Sequence, residues 1–385
     1  MKKIKVLAAL LLCVAVLAAC EDAKTPGDTT TDTSAATDTT VNTILPEDTT
    51  APADTTTLKP ADTTTAKPAE KRLGAAAKYR LYDLPVDRAV QQFALLRADD
   101  GMYIFAVQRV DSTLYLSRLR VGNDGISARL VDSVRLDGYG HGESLDLAVV
   151  DGNVYLYAAS GANTITSYAW ATTVTRLRYD EGRVTDEHVI SGFQFATATG
   201  QILHADATPY RVNFALDTDS DMLAFYIRTD KNNTGKNGYY YVVAYRLSAI
   251  NAMLDNGDMS LANAYDAFLG TTGARSVEDI CYNSSFQGLE VDDGGNIYII
   301  GGGTKIRPQL TRFALEDGKI SRKKVTDIDW IETVLLRNRN FAAATSFVEI
   351  EGLTFFEGAL YCSFNPAVSD ISPKDGTEIF IISEK

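Results

Sequence analysis

The sequence predicts an all-β chain, a five-bladed β-propeller preceded by a signal peptide and a disordered tether. Three observations carry this expectation. A turn rich in Asp and Gly leads five times into a strand with an aromatic near its start. Another strand precedes each copy, and helical periodicity is nearly absent apart from Ser248 to Asn256. Five antiparallel sheets cannot each bury both faces alone, but packed radially each covers its neighbour.

Residues 1–19 read as a targeting segment. Lys2, Lys3 and Lys5 form a charged start, and Val6 to Leu17 is an apolar run too short for a comfortable membrane span. Leu17-Ala18-Ala19-Cys20 matches the lipobox of bacterial lipoproteins: small residues fit the peptidase and the thiol receives the lipid. Cys20 is the expected lipidation site and mature N-terminus. The membrane is then a partner through the anchor, and the expected location is the cell envelope, at the outer membrane. Glu21 and Asp22 resemble the acidic surface-export signal of Bacteroidota lipoproteins; a simply polar tether explains them equally well.

Residues 20–77 form the tether. Thr, Asp, Ala and Pro dominate it, and so little apolar surface cannot offset the entropy of ordering. Five Asp-Thr-Thr triplets are similar to the O-glycosylation acceptor motif of Bacteroidota, which makes Thr29, Thr39, Thr49, Thr55 and Thr63 candidate acceptors. A plain spacer lifting a domain off a membrane is the other reading.

Residues 78–385 form the expected propeller. The aromatic units begin at Gly101, Gly152, Asp221, Gly295 and Gly358. A second strand follows, marked by Arg118-Leu119, Arg176-Leu177, Arg246-Leu247 and Arg312-Phe313, and by Glu378 to Ile382 in the last copy. The strands preceding the units are Gln92–Arg97, Ser144–Val150, Tyr210–Leu216, Gln287–Val291 and Ile350–Phe355. Each repeat thus holds three clear strands, with room for a weaker outer fourth. A β-sandwich, the competing fold, does not explain five copies.

Three of the preceding strands align closely: His141-Gly142-Glu143-Ser144-Leu145, Ser285-Phe286-Gln287-Gly288-Leu289 and Glu349-Ile350-Glu351-Gly352-Leu353. Innermost propeller strands line the central channel, so Glu143, Gln287 and Glu351 are expected near one mouth, with Gln92 and Asn213 as looser counterparts. His141 and Glu349 sit two residues earlier, on the same strand face. Such a polar ring either binds a ligand or a cation, calcium for example, or satisfies backbone groups and holds the blades. Recurrence in every strong copy suggests architecture.

These same motifs resemble the five-bladed propellers of the helveticin-type bacteriocins, a group that includes teichoic-acid-biosynthesis protein C-like proteins and certain phage receptor-binding proteins. The resemblance covers about residues 80–385. It implies recognition of cell-surface glycan polymers, or bacteriocin-like action at a cell envelope. A lipid anchor and long tether depart from a diffusible bacteriocin.

Charge excludes other classes. The chain carries −13 at neutral pH, and its first 77 residues hold 8 Lys/Arg against 10 Asp/Glu, so the domain is strongly acidic and no nucleic-acid partner is expected. Asp217-Thr218-Asp219-Ser220-Asp221 looks like a calcium loop but lacks the downstream Gly and Glu, and falls where other copies place a turn. His141, His188 and His204 have no metal-ligand spacing, and no catalytic motif is visible, so no catalytic residue, metal or cofactor is assigned. Cys281 and Cys362 could pair in an oxidising compartment, although two cysteines without a framework more often stay free and buried. Tyr168, Trp170, Tyr239, Tyr240, Tyr241 and Trp330 read as core before they read as a sugar-stacking surface. The expectation is a non-catalytic module that binds envelope glycan or a protein partner. A glycoside-active enzyme pairing Glu143 with Glu349 or Glu351 is the alternative, with the bacteriocin-like role beside it.

Overall fold

The computed structural model describes residues 72–205, 208–230, 238–281, 285–302, 308–329, 348–366 and 377–384. The signal segment, the lipidated cysteine and the candidate glycosylation sites lie outside them, as does Trp330. The first strand, β1 (Leu73–Tyr82), starts five residues ahead of the boundary drawn at Lys78. Blade one is β2 (Val90–Ala98), β3 (Gly101–Val110), β4 (Thr113–Val121) and β5 (Ser127–Leu136), each antiparallel to the next. Blade two repeats this with β6 (Leu145–Val150), β7 (Asn153–Ala162), β8 (Ala171–Asp180) and β9 (Arg183–Ser191).

Blade three is β10 (Thr208–Asp217), β11 (Met222–Asp230) and β12 (Tyr240–Arg246), followed by the longest helix among the described residues, α1 (Leu247–Leu254), where sequence placed a helix. The short β13 (Met259–Ser260) then adds to β9, and β14 (Phe268–Thr271) completes the blade. Blade four is β15 (Phe286–Val291), β16 (Ile297–Gly301), β17 (Gln309–Glu316) and β18 (Lys319–Asp329). Blade five is β19 (Val348–Phe356), β20 (Ala359–Pro366) and β21 (Glu378–Glu384), with β1 as its outer strand. The N-terminal strand therefore closes the ring: Leu73 pairs with Glu384 and Arg80 with Glu378.

Period-two alternation explains the radial packing. On β11, Leu223, Phe225 and Ile227 join the core shared with blade two, while Met222, Ala224 and Tyr226 join the core shared with blade four. Tyr241, Val243 and Tyr245 on β12 divide from Tyr240, Val242 and Ala244 in the same way. Five apolar clusters result, one for each interface between successive blades. Each fully buried aromatic such as Phe225 contributes about 2–3 kcal/mol by area. The protein is a five-bladed β-propeller.

Candidate binding site at the channel mouth

The innermost strands β2, β6, β10, β15 and β19 surround the channel. We take the mouth as the end where they begin. Antiparallel order then puts the hairpins joining second and third strands on the same face. The long β7–β8 hairpin, carrying Tyr168 and Trp170, is one of these.

Glu143 is 4% exposed, and Arg211 from the neighbouring inner strand grips it in a bidentate pair, Nε to Oε2 at 2.8 Å and Nη2 to Oε1 at 2.5 Å. Asn213 donates to Oε2 at 3.3 Å, and Arg211 Nη2 also donates to the Phe286 carbonyl of blade four at 3.0 Å. Burial pushes the Glu143 carboxyl above its ordinary range, and the Arg211 charge opposes that shift. The guanidinium also sits in an aromatic stack. It lies 4.0 Å from the Trp170 ring and 5.0 Å from Phe286. Tyr168 stacks on Trp170 at 5.3 Å, and Tyr226 on Phe286 at 4.4 Å.

His141 closes the outer side. Its Nδ1 lies 2.6 Å from Arg109 Nη1 and 2.8 Å from the Tyr168 carbonyl oxygen. One lone pair cannot serve both. Arginine only donates and a carbonyl only accepts, so Nδ1 serves one of them at a time, as acceptor from Arg109 or as donor to Tyr168. Burial first, then the Arg109 charge, pulls the imidazole down to about 3, so it is neutral. Arg109, half-buried, is further fixed by the Asp111 and Ser167 carbonyls at 2.5 and 2.8 Å.

The other ring residues divide between two levels. Gln287, buried, donates to Ser285 Oγ at 3.0 Å. Glu351 is buried too, its carbonyl taking the Ser363 hydroxyl at 2.7 Å. Glu349 pairs with Asn365 on β20, and its side chain lies outside the described residues. Gln92 works deeper in the channel. Its Oε1 accepts from Phe93 N at 2.9 Å and from Leu353 N of blade five at 3.1 Å, and its Nε2 returns a bond to the Leu353 carbonyl at 3.0 Å.

Asp146 and Glu290, which sequence reasoning missed, belong to this deeper level. Asp146 accepts from Leu147 N and from Leu216 N of blade three, both at 2.8 Å. Glu290 accepts from Val291 N at 2.8 Å and from the Phe355 backbone of blade five. Burial raises Asp146 to about 7, with Asp217 adding to the shift. Burial, then Asp146, raises Glu290 well above its ordinary range.

Elsewhere, Asp217 caps the β10–β11 turn by accepting from Ser220 N at 2.7 Å, as a turn reading requires. Cys281 and Cys362 are buried and form no disulfide. Tyr240 and Tyr241 are core, whereas Tyr239 is exposed beside His204. Among the described residues no three of His, Cys, Asp and Glu are arranged to hold a metal ion.

A family model described as Bacteriocin helveticin-J matches residues 75–361. No curated protein matches the chain. Among solved structures, the chain is similar to an α-L-arabinofuranosidase from Podospora anserina at 9% identity, covering 82% of this chain and 97% of that one with a TM-score of 0.43. A GH43 β-1,3-galactosidase overlays at 8% identity, 80% and 59% coverage and TM-score 0.44. A GH43 enzyme from Xanthomonas citri, complexed with xylotriose, overlays at 12%, 80% and 89% with TM-score 0.41.

Proposed function

The chain belongs to the helveticin-J bacteriocin family, and from that premise we propose that it is an envelope-anchored lipoprotein whose propeller recognises a cell-envelope glycan at the channel mouth, without catalysis. One observation carries the reading. The Glu143 carboxylate is consumed by Arg211 and Asn213 inside the fold. A general acid must reach the leaving group, and a nucleophile must reach the sugar carbon. The surface left at the mouth is instead an aromatic and guanidinium shelf: half-buried Tyr168 over Trp170, edged by half-buried Arg109. Aromatic faces with nearby fixed donors suit the apolar and hydroxyl faces of a sugar.

The Cys20 lipid holds the propeller at the membrane in this reading, and the Thr-rich tether gives it reach. Retention by wild-type protein of a bacterial envelope polysaccharide fraction is the test. Tyr168→Ala should weaken retention at least fivefold with the melting temperature unchanged. Release of reducing ends from the polysaccharide would replace this reading by the glycoside-active one, and retention of no glycan by folded protein would remove it. Cys20→Ser should abolish palmitate labelling and move the protein out of the membrane fraction; labelling that persists refutes the anchor.

A further inference from the structure

A groove of about 540 Å³ lies between blades two and three, on the outer side of the hairpin that carries Tyr168 and Trp170. Its wall and the mouth are one backbone apart. Asn163 N donates to the Trp170 carbonyl at 2.8 Å across the hairpin. Asn163 Nδ2 donates to the Tyr210 carbonyl at 2.7 Å, and the next residue, Arg211, stacks on Trp170.

The lining is unusual for this chain. Although 23% of the sequence is charged, none of the residues around the groove is ionisable. Polar groups come from Asn163, Thr164, Thr172, Thr173, Gln194 and Thr208. Three of them are spent on shaping the wall. Thr172 donates to the Gly161 carbonyl at 2.7 Å, Thr173 is hydrogen-bonded to Ser160 at 2.9 Å, and Asn163 also accepts from Ile165 N at 3.2 Å. The side chains of Thr164, Gln194 and Thr208 make no hydrogen bond among the described residues, and Gln194 is half-buried. Ile165, 37% exposed, supplies the apolar part, with half-buried Ala162 and Pro209 beside it. The floor depends on close backbone approach. Gly192 has φ 72°, and a Cβ there would stand 2.2 Å from Ser260 Oγ.

We propose that this groove is a second carbohydrate subsite, taking a neutral, hydroxyl-rich stretch of the same polymer whose neighbouring sugars lie on the Tyr168 shelf. It rests on the mouth reading and deepens it, from capture of a sugar to capture of a chain. Hydroxyl and amide groups around an apolar patch match the two faces of a sugar ring. An anionic stretch would find no cation in the groove and would meet the repulsion of an acidic domain. Two adjoining subsites raise the affinity for long chains over short ones through effective concentration.

The test uses neutral bacterial capsular polysaccharide, partially hydrolysed and separated into long chains and a mono- and disaccharide pool, with an acidic polysaccharide pool alongside. Thr164→Trp and Thr208→Trp fill the groove from exposed positions and leave the fold intact. Each should weaken binding of the neutral long chains about tenfold and leave the short pool unchanged. Amide hydrogen exchange should show protection at residues 191–194 by long chains only. Equal binding of long and short pools, neutral behaviour of both tryptophan variants, or unprotected groove amides overturns the subsite. The mouth reading survives that result if Tyr168→Ala still weakens both pools. Groove variants that lose binding while Tyr168→Ala does not would sink the mouth reading and keep the groove. Acidic chains held through the groove overturn the neutral assignment, and a wild-type protein that binds no pool overturns both readings.

Discussion

Replacing Arg211 by Met tests whether the polar mouth is held by one buried ion pair. Glu143 would keep only Asn213 and would lie in a site that excludes water. Breaking a buried pair by removing one partner typically costs about 3–5 kcal/mol. The carboxyl has an escape, because it can take a proton. Neutralising an ordinary Glu, pKa about 4.3, costs roughly 1.36 kcal/mol for each pH unit above that value, so the cost is capped near ~4 kcal/mol at neutral pH and ~1 kcal/mol near pH 5. Loss of the guanidinium between Trp170 and Phe286 adds about 1–2 kcal/mol at any pH. The sign follows. In the variant the folded-state pKa of Glu143 lies above its wild-type folded value, which burial has already raised and the Arg211 charge holds back, so the stability deficit grows as pH climbs past that wild-type value. Urea unfolding at pH 5 and pH 7 reads it directly. The deficit should be larger at pH 7 than at pH 5, and the double variant Glu143→Gln, Arg211→Met should recover most of that difference. A deficit under about 1 kcal/mol at pH 7, or one that does not change with pH, would refute the reasoning.

Three further outcomes follow from the same geometry. Gly352→Ala should destabilise by at least about 2–3 kcal/mol, because φ is 62° and a Cβ would stand 2.4 Å from Gln92 Oε1. Gly125→Ala, with φ 68° but open space, should cost only about 1 kcal/mol; equal costs in urea unfolding would contradict the Gln92 stitch. Glu290→Gln should gain stability over wild type as pH rises from 4.5 to 7.5, since a buried acid with a raised pKa favours the fold below its ordinary pKa and loses that contribution as pH climbs; parallel pH profiles would count against it. Removing everything before Leu73 should leave thermal unfolding unchanged, whereas removal through Tyr82 leaves β21 without its outer partner and should abolish the cooperative transition.

The repeats were legible because each blade writes the same turn, aromatic and alternating strand, and both sheet faces are buried. The inner strands predicted from Gln92, Ser144, Tyr210, Gln287 and Ile350 begin within two residues of β2, β6, β10, β15 and β19. The closing strand was not legible. Leu73–Tyr82 reads LGAAAKYRLY, and its Gly and Ala residues blend with the tether although Tyr79 and Leu81 are fully core. Nor was Arg211 found, because a charged residue in a strand carries no motif and its partner Glu143 lies 68 positions away. A signal did exist. His141 and Glu349 were noted two residues before their ring positions, and the same offset before Asn213 lands on Arg211. An offset of three after Glu143, Gln287 and Glu351 finds Asp146, Glu290 and Thr354, all on inner strands, the last two buried and Asp146 partly so.

That arithmetic separates what recurs from what does not. Residues that repeat from blade to blade are spent on joining blades: Gln92 to Leu353, Asp146 to Leu216, Glu290 to Phe355. Each satisfies a backbone donor that would otherwise be orphaned beside the channel, and the cost of leaving such a group bare is about 1–3 kcal/mol. Selection for a closed ring therefore suffices to keep them polar, and their repetition needs no ligand. The residues that break the pattern are Arg109, His141, Tyr168, Trp170 and Arg211, gathered at blades one to three on one face. A ring of equivalent sheets gains nothing for its own closure from an aromatic hairpin confined to one blade. The asymmetry is therefore where recognition is to be sought, and the groove behind that hairpin shares it.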